Sequence, residues 1–311
     1  MKFYMAPLEG ITTNIFRNAY HKCFQPMDKY FTPFLVPHSK KGFSTREKRE
    51  ILPENNKGLY LVPQIMSNHA DECLRTIEKL EEYGYQEINL NMGCPSKTVV
   101  SKGRGSGFLA YPEELNRFLK TVFDGVSGKN IKISIKTRIG KEMPDEFVRL
   151  MDIYNQYPLK ELIIHPRVQK DFYNNTPNLE MFKYGIENSK NPVCYNGDIF
   201  CADDFDKVEE KFPDVQACMI GRGVIANPAL LEEIYGQKVD EVWKKRKIRE
   251  FHDCLYHEYK ELSMGDKNVL FKMKEVWCYL GKSFPENEKA LKKIRKAERL
   301  DRYDAAVSEL C

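Results

Sequence analysis

Glu87-Ile88-Asn89-Leu90-Asn91-Met92-Gly93-Cys94-Pro95-Ser96 starts as a β-strand and runs out into a cluster of polar groups. Seven other short runs of similar character flank it. Phe3–Met5, Tyr30–Val36 and Leu59–Ile65 precede it, and Ile131–Lys136, Glu161–His165, Pro192–Tyr195 and Ala217–Ile220 follow. Segments with helical periodicity lie between most of them, including Ala70–Tyr83, Pro112–Phe123, Asp145–Tyr157 and Asp203–Lys211. Several runs are apolar throughout rather than alternating, as parallel strands covered on both faces require. Eight strands with intervening helices over about 230 residues match a (β/α)8 TIM barrel. A doubly wound open sheet is the architectural competitor.

After Pro228 the strand-like runs stop. Val239–Leu262, Lys267–Leu280 and Glu286–Arg299 read as amphipathic helices, with a shorter one over Tyr303–Leu310 and breaks at Gly265, Gly281 and Pro285. The expected organisation is a catalytic barrel over residues 1–238 and a small all-helical domain over residues 239–311.

The 311 residues carry a formal net charge of +4. Residues 241–311 hold 17 Lys and Arg against 13 Asp and Glu, whereas residues 1–240 hold 32 of each. The whole excess therefore lies in the helical tail, which raises the expectation of a polyanionic partner. Nine scattered cysteines without a CxxC pair argue against a disulfide framework or a zinc site. No apolar stretch reaches membrane-spanning length, and the N-terminus lacks a signal-type apolar region. A cytoplasmic location is expected.

Function in a (β/α)8 barrel sits at the C-terminal ends of the strands. Here the first strand runs into Pro7-Leu8-Glu9, the third ends in Gln64, and the fourth ends in Asn91 through Cys94. Lys136-Thr137-Arg138, His165-Pro166-Arg167, Asn196-Gly197-Asp198 and Gly221-Arg222-Gly223 close the remaining strands. Each has an ordinary reading: a solvated lysine, a core histidine, a turn, a packed cysteine. Their joint occurrence at successive strand ends points to a site. Glycines at the last two ends let main-chain N–H groups approach an anion, and those loops form the common phosphate site of this fold. Arg222 adds a charge-assisted contact. Lys136 and His165 favour negative charge or acceptors in the ligand's reactive ring, which fits a reduced flavin.

Gly103-Arg104-Gly105-Ser106-Gly107 superficially resembles dinucleotide-binding glycines, but it does not follow a strand and its spacing differs. A mobile loop carrying Lys97, Lys102 and Arg104 beside the site is expected, with an ordinary surface loop as the alternative.

Together these motifs resemble the tRNA-dihydrouridine synthases over the whole chain. The resemblance rests on Met5-Ala6-Pro7-Leu8-Glu9-Gly10, Asn91-Met92-Gly93-Cys94-Pro95, Lys136-Thr137-Arg138, His165-Pro166-Arg167, Asn196-Gly197-Asp198, Gly221-Arg222-Gly223 and the helical C-terminus. Leu8 stands where many members have methionine, and Pro166 where many have glycine. The family resemblance implies FMN, with NADPH (or NADH) as electron donor, and reduction of the C5–C6 double bond of a uridine in tRNA. It implies that Cys94 donates the proton, and that Pro7, Leu8, Glu9, Gln64, Lys136 and His165 contact the flavin. It further implies Asn196, Gly197, Asp198, Gly221 and Arg222 as phosphate and ribityl contacts, and Asn91 on the flipped uracil. Lys97, Lys102, Arg104, Arg138 and Arg167 are the expected substrate-side cations.

A thiol suits the proton transfer because its reference pKa of about 8.5 keeps it protonated near neutrality. Extruding the uracil costs a few kcal/mol, which phosphate contacts offset. Lys244–Arg249 and Lys292–Lys296 form basic clusters expected on one tRNA-facing side, against the alternative of a solvated helix face. No protein partner is called for, and a monomer is expected. Three competing functions remain open: a flavin barrel acting on free pyrimidine, a Schiff-base aldolase using Lys136, and a non-catalytic RNA-binding protein.

Overall fold

The computed structural model describes residues 1–37, 42–262 and 265–310. Its strands are β1 (Lys2–Met5), β2 (Lys29–Phe31), β3 (Leu61–Val62), β4 (Gln64–Ile65), β5 (Glu87–Met92), β6 (Lys132–Arg138), β7 (Leu162–His165), β8 (Val193–Tyr195) and β9 (Ala217–Ile220). They form one sheet in the order β3-β2-β1-β9-β8-β7-β6-β5-β4. The two ends of that order belong to a single run, Leu61–Ile65, divided at Pro63, which has no N–H to give to a ladder. One half pairs with β2 through Tyr30↔Leu61, and the other pairs with β5 through Gln64↔Asn89. The sheet therefore closes on itself as a TIM barrel.

All eight sequence runs appear as strands. The second is shorter than expected, because Pro33 ends the ladder after Phe31 and only Leu35 rejoins, bridging Ile65. The central strands are buried along most of their length; all six residues of β5 are covered, in keeping with parallel strands that carry helices on their outer faces.

The chain divides into two compact units. One comprises Met1–Pro7, Lys29–Gly197 and Phe212–Met219, and holds the strands. The other comprises Leu8–Asp28, Asp198–Lys211 and Ile220–Cys311. Within the second, the tail helices are Glu241–Glu261, Asp266–Leu280, Glu288–Lys296 and Leu300–Ser308, close to the spans read from periodicity. Asp240 caps the first by accepting from the Trp243 N–H at 2.7 Å. Phe16 and Phe24 pack edge-on against Phe251, with ring centroids 5.2 and 5.6 Å apart, joining the helix Asn14–Cys23 to the tail. At the centre of the tail the Trp277 indole donates to the Tyr303 hydroxyl at 2.8 Å, which lies 2.8 Å from His252 Nε2. These buried polar tips satisfy one another, so the aromatic bodies can sit in the core. Among the described residues, no helix is long and apolar enough to cross a membrane.

Candidate active site

Partners in a parallel register project to the same face, and that face repeats every second residue. Asn89 pairs with Ser134 and Asn91 with Lys136, while Arg138 pairs with His165. The pattern places Asn89, Asn91, Ser134, Lys136, Arg138 and His165 on one face of three adjacent strands. Their hydrogen bonds bear this out. Asn89 Nδ2 donates to Ser134 Oγ at 2.9 Å, Gln64 Nε2 donates to Asn89 Oδ1 at 2.8 Å, and Asn91 Nδ2 donates to Gln64 Oε1 at 2.7 Å. This directed chain fixes each amide's orientation, since reversing one would set donor against donor. Its last member, Asn91 Oδ1, accepts from the N–H groups of Gly93 and Cys94 at 3.0 and 2.9 Å.

Cys94 is therefore held just past the end of β5, and it is only partly exposed. The segment expected as a mobile loop is a packed element instead. It consists of a helical turn, Lys97–Val100, and a 3-10 turn, Gly105–Ala110, in which Gly105 through Leu109 are buried. Ser106 turns inward and donates through both its N–H (3.1 Å) and its hydroxyl (2.8 Å) to the Cys94 carbonyl. Asn68 ties the outer part of the segment, accepting from Arg104 Nε at 3.1 Å and donating to the Lys102 carbonyl at 3.1 Å. Lys97 and Lys102 are exposed.

Lys136 is partly buried. Its ammonium makes no hydrogen bond or ion pair among the described residues. Burial, followed by the neighbouring Arg138 charge, lowers its pKa to about 8. Arg167 Nη1 lies 3.1 Å from His165 Nε2. A guanidinium only donates, so the imidazole nitrogen accepts and the ring proton sits on Nδ1.

Arg138 and Arg167, expected on the substrate side, are both buried, and their guanidinium groups bond main-chain carbonyls. Arg138 donates to Gly93 (3.0 Å), Val168 (2.8 Å) and Phe172 (2.5 Å). Arg167 donates to Asn174 (3.0 Å) and Asn175 (2.5 Å). Buried guanidinium groups need several acceptors, and the segment after β7 supplies them. That segment is strained: Phe172 and Asn175 take φ of 49° and 59° without being glycine. Between them Tyr173 stands half exposed, its ring 5.6 Å from the Arg138 guanidinium and 6.3 Å from the His165 ring.

Asn196, at the end of β8, donates to the Met219 carbonyl at 2.8 Å. Pro7 and Gly197 lie in the same unit. The second unit carries Leu8, Glu9, Asp198, Gly221 and Arg222. Leu8 opens a turn whose N–H donates to Thr12 Oγ1 at 2.7 Å, and Glu9 is exposed. Arg222 pairs with Asp198 at 2.6 Å and lies 5.5 Å from the Phe200 ring, which Lys282 approaches to 5.6 Å. Gly223 packs directly under the Ile199 carbonyl, where any side chain would collide.

The two basic clusters of the tail differ. In the first, Lys244 pairs with Glu233 at 3.3 Å, Lys247 with Glu250 at 2.7 Å and Arg249 with Asp253 at 2.9 Å. In the second, Lys293 pairs with Glu309 at 2.6 Å and Arg299 with Asp301 at 3.1 Å, while Lys289, Lys292 and Lys296 recur at helical spacing and line a groove of about 800 Å³ that Glu298 and Glu309 also edge.

Sequence reasoning did not single out Ser106, Asn68 or Tyr173, which the structure places against Cys94, Arg104 and Arg138. Ser106 was hidden in a glycine-rich stretch whose composition signals flexibility, and Asn68 and Tyr173 are brought to Arg104 and Arg138 only by the fold.

The dihydrouridine synthase family model matches residues 4–308. The chain is 27% identical over 240 residues to a "Probable tRNA-dihydrouridine synthase" of Staphylococcus aureus, covering 74% of this chain and 70% of that protein. It is 24% identical over 306 residues to a tRNA-dihydrouridine(16) synthase of Vibrio parahaemolyticus, covering 95% and 92%. Among solved structures, morphinone reductase superposes with a TM-score of 0.54 at 12% identity, over 77% of this chain and 87% of that one, a likeness of fold. A match that spans nearly the whole chain, barrel and helical tail alike, makes this chain a member of the dihydrouridine synthase family.

Proposed function

We propose that the chain is an FMN-dependent tRNA-dihydrouridine synthase that reduces the C5–C6 double bond of a uridine in tRNA. The observation that carries this reading is the convergence of Cys94, Lys136 and His165 at the ends of three adjacent strands. The residues also fit a flavin. Lys136 is a partnerless cation disfavoured by its surroundings, and an anionic or acceptor-rich ring edge beside it restores the ammonium. His165, at the end of the adjacent strand, brings a second nitrogen group, its imidazole, to the same face.

When bound, FMN recharged by NADPH or NADH supplies the hydride that adds to C6. Cys94 gives its proton to C5 on the opposite face, and the thiolate regains a proton from solvent. Lys136 and His165 hold the flavin ring, with Pro7, Leu8, Glu9 and Gln64. Asn196, Gly197, Asp198, Gly221 and Arg222 take the phosphate and ribityl chain. Asn91 faces the uracil, while Arg138 and Arg167 act on the substrate through the Val168–Asn175 segment whose carbonyls they hold. Lys97, Lys102 and Arg104 meet the RNA backbone.

Residues 239–311 are the tRNA-binding domain in this reading. Lys244, Lys247 and Arg249 of the first basic cluster are paired, whereas Lys292 and Lys296 make no ion pair among the described residues, so these groove lysines are the part best suited to phosphates. Replacing Lys292 and Lys296 by alanine weakens tRNA binding and lowers the log–log salt slope by about one per lost phosphate contact. An unchanged slope refutes the groove.

The main test is direct. Purified protein releases FMN on denaturation and, with NADPH, forms dihydrouridine in unmodified tRNA; Cys94→Ala loses tRNA-dependent reoxidation of the flavin. Turnover of free orotate or dihydroorotate with none on tRNA would overturn the reading. So would a colourless protein that borohydride traps through Lys136.

A further inference from the structure

We propose that Ser106, Asn91 and Arg138 form a main-chain mount that aims the Cys94 thiol, which makes Ser106 a positioning residue for the proton transfer. This rests on the reading of Cys94 as proton donor.

The polar groups of the Gly93–Cys94 backbone are held from three directions. Both N–H groups go to Asn91 Oδ1, at 3.0 and 2.9 Å. The Gly93 carbonyl accepts from Arg138 Nε at 3.0 Å. The Cys94 carbonyl accepts from the Ser106 hydroxyl at 2.8 Å and the Ser106 N–H at 3.1 Å. None of the three is free to reorient. Asn91 is locked at the end of the amide chain that runs back to Ser134, and Arg138 is buried with two further carbonyls on its guanidinium. Ser106 has no exposed surface at all. Pro95 follows Cys94 and narrows its backbone to extended conformations.

Gly105 shows how close the Ser106 side of the mount lies. Its φ is +54°, and a Cβ there would meet the Cys94 carbonyl oxygen at 2.7 Å and the Cys94 Cβ at 3.1 Å. The glycine lets the main chain of Gly105–Ser106 press against the cysteine turn. With the backbone set on both sides, the thiol is left with little more than its χ1 to adjust. Proton transfer needs the donor within hydrogen-bond reach of the receiving carbon's lobe, and a displacement of about 1 Å costs up to about a hundredfold. Ser106 cannot touch substrate from its buried position, so it acts through Cys94.

The test is Ser106→Ala, which deletes the hydroxyl bond and keeps the N–H bond, in the flavin-loaded enzyme with flavin content as the check on folding. The expected result is a fall in kcat of about tenfold with the KM for tRNA within about twofold, as for an interaction made only in the transition state. Iodoacetamide, followed by peptide mass spectrometry, provides a readout independent of turnover. Alkylation of Cys94 accelerates at least about threefold as the turn loosens, while the exposed Cys201 and Cys278 serve as internal standards and do not change. A wild-type kcat, or a loss confined to KM or to thermal stability with Cys94 reactivity unaltered, overturns the mount. Failure of the underlying reading looks different: Cys94→Ala then retains wild-type turnover, whatever Ser106→Ala does.

Discussion

On β5 the inward positions Glu87, Asn89 and Asn91 follow one another at two-residue spacing, yet they serve two unlike ends of the same barrel interior. At the N-terminal end, Glu87 accepts from Lys29 at 2.9 and 3.0 Å and from the Tyr60 hydroxyl at 3.0 Å. Glu161 accepts from the Tyr4 hydroxyl at 2.9 Å and lies 3.7 Å from Lys29. Burial and the two carboxylates raise Tyr4, and burial raises Glu161. At the C-terminal end, Lys136 has no protein partner and is lowered to about 8. The buried Lys29 is saturated by its own chain, and the partly buried Lys136 is left open. The contrast sets a closed end against an open one: in the function proposed above, a cation without a protein acceptor is held ready for an external one.

The sharpest way to break this comparison is Lys29→Met. It leaves two buried carboxylates without their cation and should destabilise the protein by about 3–5 kcal/mol, read as a shift of the urea midpoint. A change below about 1 kcal/mol would mean that the cluster is hydrated and the closure unnecessary.

Lys136→Met should act the other way on stability while abolishing tRNA reduction. Because the folded pKa lies below the ordinary lysine value of 10.5, the unfolded chain binds more protons between about 8 and 10.5, and stability rises with pH across that window. Below about 8 the full penalty of the charged lysine is present. At pH 7 the flavin-free Lys136→Met protein should therefore exceed the flavin-free wild type by up to about 2–3 kcal/mol, the gap closing towards pH 10. A gap that widens with pH contradicts the account.

Asn89→Leu tests the boundary between the two ends. It strands the Gln64 amide donor and the Ser134 hydroxyl, at a cost of about 1–3 kcal/mol in the denaturation midpoint. The smallest effect belongs to Tyr4→Phe, about 1 kcal/mol, because Glu161 keeps Lys29 nearby. If Tyr4→Phe cost more than Lys29→Met, the hydroxyl rather than the ammonium would be the organising group.

Much of this was legible in the linear chain, for identifiable reasons. The strands showed because runs such as Ile131–Lys136 and Ala217–Ile220 are apolar on both faces, a pattern loops cannot afford. Cys94, Lys136 and His165 showed because each terminates such a run. Lys29, Glu87 and Glu161 did not, since a charged residue at a strand start looks the same whether it meets water or a partner 58 positions away. Ser106 was obscured by its glycines, which signal mobility in composition but here permit close packing against Cys94.

The sequence by itself determined the barrel, the helical tail, the segregation of positive charge and the chemistry-bearing strand ends, because these depend on local periodicity and on residue type at fixed spacing. The tertiary structure alone decided which of those groups are engaged. Arg138 and Arg167 turned inward to main-chain carbonyls, the first tail cluster paired within its own unit, and Lys136 stayed open. Hydrogen bonds and ion pairs join residues far apart in the chain, and a donor's role is settled by the acceptor that folding brings to it.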